Sequence, residues 1–131
     1  MVQKSDLLGL VNWDAVLAAP RYAGGHQDVM VAIFEGQAEI LDHYTEDDWQ
    51  GTLAIAYRFP DGSVAIMTDY FGSCSGCDAW EDASDADARA MVTSLVTSAR
   101  FFEDVEAART FCRSDKDAEE YPFYAASSLN F

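Results

Sequence analysis

The chain has 131 residues, half of them hydrophobic, with 8 Phe, 6 Tyr and 3 Trp, and 23 acidic against 8 basic side chains give it a formal net charge of −15. That length fits one domain able to bury a core without cross-links, and that aromatic content excludes a disordered acidic tail. The charge repels phosphate backbones and anionic bilayers, so it disfavours direct nucleic-acid or membrane binding and points to a protein partner with a basic surface.

The first twenty positions, MVQKSDLLGLVNWDAVLAAP, are interrupted by Asp6, Asn12 and Asp14. Neither a secretion signal nor a membrane span is expected, and the protein is expected in the cytoplasm. In a reducing compartment its 3 cysteines read as free thiols or metal ligands rather than a disulfide framework.

Leu7, Leu8, Leu10 and Val11, then Val16 and Leu17, predict a short amphipathic helix or a pair of helical turns ending before Pro20. RYAGGHQD follows as a loop. From Val29, the apolar residues Met30, Ile33, Phe34, Ile40, Leu41 and Tyr44 recur at three- and four-residue spacing, which predicts helix despite Gly36, with a strand over 29–34 as the competitor.

In TLAIAYRF, Leu53, Ile55, Tyr57 and Phe59 alternate with Ala54, Ala56 and Arg58, the period of a half-buried strand. PDGS is a hairpin turn, with Pro60 presetting φ and Gly62 accepting a positive one, and VAIMTDYF supplies the partner strand of a Thr52–Phe71 hairpin. SDAD at 84–87 reads as an N-cap with a capping acid, opening a helix whose inner stripe is Ala88, Met91, Val92, Leu95, Val96, Ala99 and Phe102, with Arg89 and Arg100 outward. EDVEAARTFCR predicts a further helix with Val105, Ala108, Phe111 and Cys112 inward, and the aromatic tail DAEEYPFYAASSLNF is expected to fold back on the core. No linker or repeat divides the chain, so the expected class is α+β, with an antiparallel hairpin packed between N-terminal and C-terminal helices.

The stretch least like ordinary core or surface is DYFGSCSGCDAWED, where Cys74 and Cys77 sit in a Gly/Ser turn after the hairpin. The spacing lets two thiolates meet one zinc ion, and Cys112, His43 or His26 could complete a tetrahedral set, although no second close pair of ligands exists. It is also the spacing of dithiol oxidoreductases, but Asp69, Asp78, Glu81 and Asp82 oppose thiolate formation and a βαβ context is missing. The bland alternative is a tight strand-to-helix connection in which both cysteines pack as small semi-apolar residues and Asp78 caps nearby amides.

The run resembles the YGSCSGCD signature of a family of small bacterial and phage proteins, in which a DWQG-like step and a hairpin also precede the cysteines. Residues 47–82 carry the resemblance, with Phe71 where Tyr is usual and Tyr70 one position away. It implies no reaction, cofactor or catalytic residue. What it implies is a phage or mobile-element source, where small acidic proteins act on host machinery.

Other chemistries lack their residues. The His-x-Glu and Pro-Cys-x-x-Cys of zinc deaminases are absent, DASDADAR lacks the central Gly and final Glu of a calcium loop, and neither AGGHQD nor FGSCSG carries the Lys of a P-loop. A cysteine nucleophile would need His26 or His43 beside a thiol. The expectation is therefore a non-enzymatic binding or inhibitor module without a cofactor. Its contact residues would be Trp49, Tyr70, Phe71, Cys74, Cys77, Asp78, Trp80 and Glu81, and an exposed Trp80 would strengthen that reading. The rival is a thiol site that binds zinc or cycles a disulfide through Cys74 and Cys77.

Overall fold

Local chemistry dictates most at the Pro60–Gly62 turn, which joins strand β2 (Gly51–Arg58) to β3 (Val64–Phe71). The Gly62 amide donates to the Phe59 carbonyl at 2.9 Å and the Phe59 amide donates to Ser63 at 2.9 Å, with Gly62 at φ +92°. A side chain is strained there, so glycine is required. Asp61 stiffens the turn by accepting from the Ser63 hydroxyl at 2.6 Å, the Ser63 amide at 3.0 Å and the Val2 amide at 2.7 Å.

Those bonds, the Ser63 hydroxyl foremost, hold the Asp61 carboxyl down at about 2, below its ordinary 3.8. A carboxyl depressed in the folded state contributes stability that is complete above its unfolded pKa and lost as pH falls toward its folded one. Asp61→Asn is thus expected to flatten the stability profile between about pH 4 and pH 2. Urea titrations across that window check it.

The computed structural model describes residues 2–21, 26–45, 51–71, 80, 83–114 and 123–131. They form an α+β domain around a four-stranded sheet of order β1-β2-β3-β4, all neighbours antiparallel, with β1 at Glu39–Thr45 and β4 at Arg100–Phe102. Alternation along β2 and β3 sends side chains to two separate cores. Leu53, Ile55, Tyr57, Ala65 and Met67 pack under a 3-10 turn (Lys4–Leu10), α1 (Trp13–Ala18), α2 (His26–Ala32) and α3 (Asp85–Thr97). On the opposite face Ala54, Ala56, Val64 and Ile66 pack under α4 (Val105–Arg113) and a 3-10 turn at Phe123–Ser128. The strand expected to be half-buried is therefore covered on both faces, and its alanines are what let the C-terminal segment come close.

The hairpin, the pair of N-terminal helical turns, α4 and the described part of the tail, 123–131, follow the sequence expectations; residues 117–122 lie outside the described residues. The Ser84 hydroxyl accepts from the Asp87 amide at 3.1 Å while the Asp87 carboxylate reaches back to the Ser84 amide, the reciprocal cap the sequence predicts. Three expectations are corrected. Helix begins at His26, inside the stretch read as loop; Tyr22–Gly25 lie outside the described residues.

The helix predicted from Val29 stops at Ala32, Gly36 turns the chain at φ +81°, and residues 39–45 are strand, not helix. The misleading spacing has a physical source. Ile40 pairs with Tyr57 and Asp42 with Ala56, so Leu41 is an extra residue, a bulge that puts Leu41 and Tyr44 on the same face although they are three apart. The helix predicted to run to Phe102 ends at Thr97, and Arg100–Phe102 instead pair with Val64–Ile66 of β3.

Tyr57 fastens α2 to the sheet. Its buried hydroxyl lies at the Met30 carbonyl and 2.6 Å from that of Val31, and burial pushes the phenol well above its ordinary range. Among the described residues no helix is long and apolar enough to cross a membrane.

Candidate functional site

β1 ends, β2 begins and β3 ends at one end of the sheet, as the pairings Thr45↔Leu53 and Gly51↔Phe71 require. The first turn of α2 is fastened to that end. His26 Nδ1 lies 2.9 Å from Asp69 Oδ2, with the imidazole side chain 2% exposed and the carboxylate 22%. Beside it Thr45 Oγ1 donates to Gln27 Oε1 at 2.9 Å, and the Gln27 amide donates to His43 Nδ1 at 2.8 Å. Asp69 is an acceptor, so His26 carries a proton on Nδ1 and is oriented by the carboxylate.

This His–Asp pair stands where β3 runs out toward the cysteines. Cys74, Cys77, Asp78, Glu81 and Trp49 lie outside the described residues, and Tyr70 and Phe71 are placed as the last backbone positions of β3. On the far side of the cysteines the chain is held firmly. Trp80 is fully buried, its indole N–H donates to the Pro20 carbonyl at 2.7 Å, and the Arg21 guanidinium lies 5.5 Å from the ring centre. Arg21 also donates to the Ala83 carbonyl at 2.8 Å and to Asp85 at 2.7 Å. Trp80 is thus a core residue that anchors the segment, not the exposed contact that sequence alone left open.

Of the three candidates for completing a metal site, Cys112 is set apart from the cysteine segment's flanks. Cys112 is buried on the α4 side of the sheet, whereas Trp80 and the Asp69 side belong to the helical face opposite. Burial among apolar side chains pushes the Cys112 thiol up to about 11, the reverse of what a ligand or nucleophile needs. His43 already accepts from Gln27 through Nδ1, which leaves its neutral ring protonated at Nε2, the only other ligating atom. Among the described residues no group of three or more His, Cys, Asp or Glu could hold a metal.

Cys112 carries a direct test. In native protein near pH 7.5 its thiol is expected to resist a soluble thiol reagent and to label fully only in denaturant, while Cys112→Ala removes that late-reacting thiol. Mass spectrometry of labelled peptides reads both.

Sequence reasoning brought His26 forward as a partner for zinc or a thiol and treated Asp69 as a charge opposing thiolate. Their pairing, across 43 positions, has no local signal and follows only from the way α2 crosses the sheet. Comparison with protein-family models, curated proteins and solved structures finds no match.

Proposed function

We propose that this chain is a small binding protein of the cytoplasm that engages a basic protein surface, in the manner of an inhibitor rather than an enzyme. The observation that carries this reading is how the chain uses its few cations. Arg21 pairs with Asp85, Arg58 with Glu39 and Arg109 with Glu106. Arg113 donates to the Leu129 carbonyl, while Arg89 and Arg100 lie over Trp13 and Phe111. These six arginines engage carboxylates, carbonyls and aromatic rings of the chain itself, and a chain of formal net charge −15 carries a strongly negative field. Such a field speeds encounter with basic partners and repels nucleic acid.

The resemblance of residues 47–82 to small bacterial and phage proteins supports a bacterial host as the source of that partner, and Tyr70 to Asp78 together with Glu81, but not the buried Trp80, as part of the contact. The test is capture from a bacterial lysate on immobilised protein. A partner identified by mass spectrometry, released by moderate salt and weakened by Asp78→Lys, is the expected result. Recovery of no partner, or binding indifferent to both salt and Asp78→Lys, defeats the reading.

One observation favours a second reading. The oriented His26–Asp69 pair sits near the end of the strand that leads on in sequence to Cys74 and Cys77, an arrangement suited to a thiol site that binds zinc or cycles between dithiol and disulfide. Elemental analysis with thiol titration tests it. Metal in stoichiometric amount, or a reversibly oxidised pair lost in Cys74→Ser with Cys77→Ser, supports it; unchanged metal content and stability in that double variant defeats it.

A further inference from the structure

α1, α2 and the beginning of β1 enclose an open groove of about 680 Å³ on the helical side of the sheet. Its walls are apolar: Ala15 and Ala18 from α1, Val31 and Ala32 from α2, and Ile40 from β1, with Tyr57 at the base. Val31 and Ile40 are 36% and 38% exposed, and only Leu8 joins them as an exposed large hydrophobic among the described residues. Two such side chains converging on one concavity are unlike the isolated apolar residues of an ordinary surface.

The lip adds charge of one sign. Asp28 and Glu35 line the groove, and among the described residues no lysine or arginine does. The exposed Glu35 carboxylate has no ion pair among the described residues. Among the described residues β1 is an edge strand, and no strand neighbours Ile40 beyond it.

We infer that this groove is the docking site for a basic partner segment that lays apolar side chains against Val31 and Ile40 and sets flanking Lys or Arg beside Glu35 and Asp28. The inference rests on the proposed binding function and names its surface. Charge selects the occupant. A second copy of this chain would bring another −15 to an acidic lip, and a nucleic acid or anionic bilayer would meet the same repulsion. A segment with leucine-like residues at helical spacing and lysines between them satisfies walls and lip together.

Two synthetic peptides of equal charge test it on the full chain. One carries leucines at three- and four-residue spacing among lysines, and the other has those leucines replaced by serine. The leucine peptide is expected to bind at least tenfold more tightly, with amide shifts moving at Ala15, Val31 and Ile40. Val31→Lys and Ile40→Lys, both at exposed positions, should each weaken it at least tenfold, while Glu103→Lys on the β4–α4 connection changes it less than twofold. Equal affinity for the two peptides, with neither groove variant having an effect, overturns the groove and leaves binding through acidity standing. If neither peptide binds at low salt, the groove and the binding function fall together.

Discussion

Trp80→Ala is expected to cost about 3–5 kcal/mol of unfolding free energy, the range for removing a large buried aromatic, and to lower Tm by on the order of 10 °C or more. The indole is fully buried, its N–H holds the Pro20 carbonyl, and Arg21 covers its face. Truncation would leave a cavity between α1 and the approach to α3, and a carbonyl without its donor. Trp80→Phe separates these losses. It restores most of the apolar volume but not the N–H, so it should retain a deficit of roughly 1–3 kcal/mol. Urea unfolding followed by circular dichroism reads both variants. A loss under about 1 kcal/mol for the alanine change would mean that the indole is not a core element.

The same residue shows what was legible before the fold was known. Trp80 follows two cysteines among acids and glycines, a context that reads equally as a rim or as an anchor, and only the approach of Pro20 and Arg21 from sixty positions away decides it. Elements specified by neighbours in the chain were readable. The Pro60–Gly62 turn needs nothing beyond its own φ preferences and the Asp61 carboxylate, and α3 starts where Ser84 and Asp87 cap each other. Elements specified by a distant partner were not. Arg100–Phe102 are strand because β3 offers them an edge, and residues 39–45 are strand because β2 does. In β1 a bulge reproduces helical spacing, so the periodicity itself misled. The α+β class survived these errors because each core is assembled mainly from the hairpin and the capped helices around it.

His26→Leu and Asp69→Leu are each expected to destabilise the protein by about 2–4 kcal/mol, and the double variant by at least about 1 kcal/mol less than their sum. His26 is nearly sealed from solvent, so removing either partner leaves a polar group in the interior without the bond that compensated its desolvation. The partial exposure of Asp69 lets water recover some of the loss, which places the expected values at the lower end of those for buried pairs. Chemical unfolding of the three variants supplies the cycle, and strictly additive losses would show that the two side chains do not support each other. Asp69→Asn then separates structure from chemistry, because the amide keeps the shape and an acceptor oxygen while removing the charge that stabilises a protonated imidazole. If the pair serves a thiol site at Cys74 or Cys77, Asp69→Asn should slow alkylation of those cysteines severalfold at a stability cost well below that of Asp69→Leu. If the pair only fastens α2 to the sheet, alkylation rates will be unchanged, and the reading of a thiol site served by this pair falls.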